Sequence, residues 1–192
     1  MQNAFLLRWG LAAVLAAATP IAMVITHGQV SAGSARAVQA TLATPLGLTT
    51  STLVDTGTLT GPNDARDASA SAGSIGAIVT AQTLHATSIG LSDQVSSEAS
   101  LAGLAISIAG TSVNAAFVQA RNLSGVDGVR TATVHDLTIN GVPIDVSGDA
   151  NQTISIPGGA VVINEQSGSV VNALHIVVNG VADLVIASAS AQ

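Results

Sequence analysis

The stretch from Ala173 to Ser188, ALHIVVNGVADLVIAS, decides the fold class. Apolar and polar or small residues alternate along both arms, and Asn179-Gly180 stands between them. Asn-Gly flanked by such alternation is the strongest local hairpin signal, because a type I′ turn needs two adjacent residues at positive φ. A second copy of the pattern lies upstream, where TVHDLTI (Thr133 to Ile139) and VPIDV (Val142 to Val146) flank Asn140-Gly141. Both segments are therefore predicted to be β-hairpins. Working outward, the period of two recurs in Val38 to Thr44, Leu104 to Ile108 and Thr153 to Ile156, which marks half-buried strands. Turn residues punctuate these runs at Gly57, Gly61-Pro62-Asn63-Asp64, Gly90, Gly110, Gly125, Gly148-Asp149, Pro157-Gly158-Gly159 and Gly168. Regular short strands so punctuated predict an all-β fold, an antiparallel sandwich or barrel-like sheet. Gln94 to Ala105 is Ala-rich and open to a helical reading, but Val95, Ser96, Ser97 and Ser100 lower its helix propensity.

The N-terminus reads differently. Leu11 to Thr26 is an uncharged apolar run preceded by Arg8 and followed by the small-residue stretch SAGSARA, the layout of a helical signal peptide. The run is shorter than a spanning helix needs and Pro20 interrupts it, so no stable membrane span is expected once it is cleaved. Ala35-Arg36-Ala37 is the preferred cleavage motif, with Val30-Ser31-Ala32 as second choice. The expected organisation is a signal peptide over residues 1–37 and a single secreted β-domain over residues 38–192.

Composition narrows the function. The chain of 192 residues has 8% charged and 2% aromatic residues, no Cys and no Tyr, against roughly 25% charged in an average soluble domain. Without Cys there are no disulfides, thiolate metal sites or thiol nucleophiles. Beyond residue 37 only Arg66, Arg121 and Arg130 face all 11 acids. That balance excludes a nucleic-acid partner, since phosphate binding needs clustered cations.

The segment from Asn151 to Ala191 carries ISIPG, INEQ at Ile163 to Gln166, VNALHI at Val171 to Ile176 and ADLVIASA at Ala182 to Ala189. Upstream lie VDTG at Val54 to Gly57, Ala77 to Ala81 and LTINGVPI at Leu137 to Ile144. In combination these resemble the choice-of-anchor P family of secreted bacterial surface proteins, over most of the chain after the leader. The resemblance implies export and attachment to the envelope through a variable C-terminal sorting segment. No hydrophobic tail or sorting motif follows Ala191 here, so release, non-covalent retention or assembly is expected instead.

Catalytic residues are not expected. Gly73-Ser74-Ile75-Gly76 lacks the G-x-S-x-G spacing of a strained nucleophile. His135 and His175 occupy related hairpin positions and could share a metal, although solvent-facing or backbone-satisfied sheet histidines are the simpler reading. Asn63, Asp64 and Asp67, on the Gly61-Pro62 turn, are the calcium candidates, because oxygen donors on such a turn suit a hard cation. Exposed turns use the same residues for their own hydrogen bonds. The polar triplet Asn164-Glu165-Gln166 reads as a sheet-end cap or a partner contact. The alternating segment Val38, Ala40, Leu42 to Leu46 is the candidate assembly strand, fit to lie in its own sheet or to complete a neighbour's. The function expected is that of an extracellular or cell-surface structural protein, not an enzyme, self-assembling by β-strand donation or bound to an envelope partner. The alternative is a soluble extracellular binding module with a weak calcium loop.

Overall fold

A computed structural model describes residues 32–125 and 128–192. The apolar run expected to form the leader lies outside the described residues. Among the described residues all regular structure is β, in two antiparallel sheets packed face to face. In the first, β1 (Gly33–Thr44) and β2 (Gly47–Asp55) join β10 (Gln152–Ile156), β11 (Gly159–Ser167), β12 (Val170–Val178) and β13 (Ala182–Ala191), in the order β10-β11-β12-β13-β1-β2. The second holds β3 (Ala65–Ile75), β4 (Val79–Gly90), β5 (Val95–Ile108), β6 (Thr111–Leu123), β8 (Thr138–Ile139) and β9 (Val142–Pro143) in sequence order. There β7 (Val129–His135) also pairs with β6. The expected β-sandwich is therefore the fold, and the helical reading of Gln94 to Ala105 gives way to β5. That strand buries Val95, Ala99, Leu101, Leu104 and Ile106 against the other sheet, so cross-sheet packing outweighs local alanine propensity.

The core is aliphatic, and its largest fully buried side chains include Leu84, Leu101, Ile106, Leu174, Ile176, Leu184 and Ile186. Each such side chain contributes about 1.5–3 kcal/mol when removed from water. Glycine lets the layers close where a side chain would intrude. A Cβ on Gly33 would lie 2.4 Å from Val95 Cγ1, and one on Gly73 2.9 Å from Leu53 Cδ1.

A crease runs across the six-stranded sheet. Consecutive residues point inward at Ile163/Asn164, Ala173/Leu174, Ile186/Ala187 and Ala37/Val38, one pair on each of β11, β12, β13 and β1. The pairings align these steps. Glu165↔Asn172, Asn172↔Ser188, Ser188↔Arg36 and Arg36↔Asp55 lie on one side, and Ile163↔Leu174, Leu174↔Ile186, Ile186↔Val38 and Val38↔Leu53 on the other. Asn164, Ala187 and Val54 carry the bend at φ 51°, 50° and 53°. A β-branched residue such as Val54 rarely adopts this region and is held there by its surroundings.

The two Asn-Gly turns differ. Asn140 and Gly141 have φ 52° and 77° and close a two-residue loop between Ile139 and Val142, as a type I′ turn requires. The strands they join are only two residues long, because Asp136 at φ 53° breaks the upstream arm. At Asn179-Gly180 only Gly180 has positive φ, at 71°. Val178 pairs with Ala182, so this loop has three residues and is not type I′.

Strand β1 begins ahead of the boundary expected after Ala37. It runs in the middle of its sheet, paired with β13 from Gly33↔Ala191 to Leu42↔Ala182 and with β2 from Arg36↔Asp55 to Thr44↔Gly47. Val38, Ala40 and Leu42 thus lie in their own sheet, with Val38 and Ala40 fully buried and Leu42 against the core. Leu46 is fully exposed in the β1–β2 turn.

Candidate functional site

The calcium candidates are committed to separate partners. Asp64 Oδ2 accepts the Thr60 amide at 2.8 Å and its hydroxyl at 2.9 Å, and Arg66 Nε at 3.1 Å. The Thr60 amide, then its hydroxyl and Arg66, hold the Asp64 carboxyl below the ordinary carboxylate range. Asn63, at φ 67°, donates its amide to Gly90 O at 2.8 Å. Asp67 turns across the β3–β4 ladder to His85 Nε2 at 2.7 Å. Among the described residues no group of three or more His, Cys, Asp or Glu side chains is arranged to hold a metal ion. The sequence recognised the turn chemistry, and in the structure that chemistry closes the turn itself.

His135 and His175 belong to different sheets and have different neighbours. His135 ends β7 and stacks on Phe117 of β6, with ring centroids 6.1 Å apart. His175, on the outer face of β12, lies between two carboxylates, with Nδ1 2.9 Å from Glu165 Oε1 and Nε2 3.0 Å from Asp183 Oδ1. Asn172 Nδ2 donates to Glu165 Oε2 at 2.7 Å, while Asn172 Oδ1 is buried without a partner. Carboxylates only accept, so a His175 bonded on both nitrogens is an imidazolium. Burial works against that charge, but the hydrogen bond and charge of Glu165, then those of Asp183, outweigh it and raise the His175 pKa. Burial likewise opposes the Glu165 charge, and Asn172 and His175 overcome it and lower that pKa.

This cluster ties β11, β12 and β13 together beside the crease. Glu165 and His175 are not directly cross-strand, since Glu165 pairs with Asn172 and His175 with Val162. The crease brings the diagonal pair within reach. Asn164-Glu165-Gln166 accordingly lies inside β11, where Asn164 is buried and donates to Gly148 O at 3.0 Å. It is not a sheet-end cap. Farther along the same face Arg36 Nε meets Asp55 Oδ2 at 2.7 Å, and its Nη1 donates to Gln39 Oε1. An imidazolium has no free lone pair, so in this state His175 clamps strands and does not act as a base.

The sheet margins complete the surface. β2 ends the six-stranded sheet and β3 the seven-stranded one, and Leu53 of β2 packs toward Gly73 of β3. From Leu48 to Val54 the β2 sequence is LTTSTLV, and from Ala68 to Ile75 the β3 sequence is ASASAGSI, both without charge or proline. Leu46 and Leu48, 101% and 78% exposed, project at the start of β2. Beside them lies a groove of about 280 Å³ lined by Ala43, Leu48, Val177 and Val181. The alternation of β1 singles it out as the candidate assembly strand, while nothing in LTTSTLV reveals that β2 ends a sheet.

No protein-family model matches the chain, and neither curated proteins nor solved structures supply a match.

Proposed function

We propose that this is an exported structural protein of the cell surface or extracellular matrix that associates with copies of itself through sheet edges. One observation carries the reading: among the described residues β2 is an outermost strand whose stretch from Leu48 to Leu53, ahead of the bend at Val54, has no charge and no proline. Soluble sandwiches protect such edges with charge, proline or bulges, because free N–H and C=O groups template pairing with another chain. β3 offers a comparable edge on the same side. Export and kinship with the choice-of-anchor P proteins belong to the same proposal, on the strength of the leader-like N-terminus and the C-terminal motifs.

Association by edge pairing replaces strand donation as the proposed route. β1 is central and joined to β2 by the tight Pro45-Leu46 turn. Donating it alone would tear it from both neighbours and undo that turn, whereas a free edge adds a strand without rearrangement. The test is sedimentation velocity and negative-stain microscopy of the native protein beside a Thr50→Lys/Thr52→Lys variant. Oligomers or fibres in the native protein, with a folded monomer in the variant, are the expected result. A native protein that stays monomeric across the concentration series overturns the proposal.

A further inference from the structure

We infer that the exported chain is processed between Ala32 and Gly33, so that the whole of β1 remains in the mature protein. This rests on the export reading above. Two motifs with small residues flank this region, Val30-Ser31-Ala32 and Ala35-Arg36-Ala37, and the general preference for small residues at such sites does not separate them. The fold separates them.

Cutting after Ala37 would remove Gly33 to Ala37 from a central strand. The Gly33↔Ala191, Ser34↔Ser190, Ala35↔Ala189 and Arg36↔Ser188 pairings would go with it. So would Arg36↔Asp55 and its 2.7 Å ion pair. Ala35 and Ala37 are 2% and 0% exposed and belong to the main core cluster, so their loss leaves a slot between β13 and the opposite sheet. Gly33 fills another tight place, against Val95, Ser88 and Ser97.

The bonds that fasten the next segment also depend on these residues. The Thr56 amide donates to Ala35 O at 3.0 Å, and the Leu59 amide to Gly33 O at 2.8 Å. Thr56 Oγ1 accepts the Ala35 amide at 2.9 Å. Thr56 is itself buried, and a buried polar group deprived of its partner is destabilising. A chain beginning at Val38 therefore lacks what both the core and the Thr56–Leu59 segment require. Among the described residues, a chain beginning at Gly33 forgoes the Gln192 amide's bond to Ala32 O. A signal peptidase meets the chain before it folds, so both motifs are accessible to it. Only the earlier one yields a product with a complete sheet.

The experiment is to produce the full chain with its own N-terminus in an exporting bacterium and measure the intact mass of the exported fraction. A mass for Gly33 to Gln192 is expected. A mass for Val38 to Gln192 overturns the inference while leaving export standing, and an uncut chain retained inside the cell overturns both. Ala32→Arg, with Ala35 and Ala37 untouched, is expected to leave the precursor uncut. Undiminished processing of that variant after Ala37 contradicts the inference.

Discussion

Each nitrogen of His175 meets a carboxylate, and this fixes how the clamp responds to pH. Its pKa is raised above the ordinary 6.5, so its contribution is fully present below that value and is lost as pH rises through the raised pKa. Glu165 is held below the ordinary 4.5, so its contribution is present above 4.5 and is lost as pH falls through the lowered pKa. The melting temperature is expected to be highest between these limits and to decline on the alkaline side. His175→Gln should remove that alkaline decline, and parallel profiles for the two proteins would refute the assignment. At Gly33 an added methyl must displace Val95 Cγ1, so Gly33→Ala is expected to lower stability by roughly 1–3 kcal/mol in urea titration. The sequence singles out Glu165 within a polar triplet and His175 as the counterpart of His135, and does not pair them. Gly168 signals the turn that sets Glu165 opposite Asn172, yet the further step to His175 depends on the crease. No residue preference announces a crease carried by Val54 and Ala187, which are poor candidates for positive φ.

Among the elements, the two Asn-Gly turns separate what local sequence decides from what the sheet decides. At Asn140 the backbone is left-handed and Oδ1 accepts the Ser112 amide at 2.8 Å. Asn140→Ala should therefore cost about 1–2 kcal/mol, as lost hydrogen bond plus backbone strain, readable as a shift in urea midpoint. At Asn179 the side chain faces no such demand, and Asn179→Ala is expected to change that midpoint far less. Alternation made β1, β5, β12 and β13 legible, because one face of each packs on the opposite layer and the other meets solvent. It could not give the order of strands, since pairing partners such as β1 and β13 are related only through the finished sheet. The edge position of β2 was hidden for the same reason. Whether LTTSTLV is an edge or a centre depends on what lies beside it, and among the described residues the ladder stops at β2.

For the molecule as a whole, stability comes from an aliphatic core shared by two sheets, and the Asp64 and Asp67 carboxylates are held by protein partners. A chelator is therefore expected to leave the melting temperature unchanged, and a drop of several degrees would return calcium to the loop of Asn63, Asp64 and Asp67. The outer face of the six-stranded sheet carries its charge at Arg36, Asp55, Glu165 and Asp183, set among Ser and Thr. Net acidity makes copies repel one another, so the proposed edge association should strengthen as salt is raised. The pairing of β1 with β13 has a further consequence, one of timing. Ser34 and Ser190 bond across a separation of 156 residues, and contacts so distant in the chain close late and slowly. A polypeptide threaded N-terminus first through a membrane holds β1 on the far side with only β2 to pair with until β13 has crossed. On the export proposed above, the core would stay open through the crossing, and the fold would be completed by the strand delivered last.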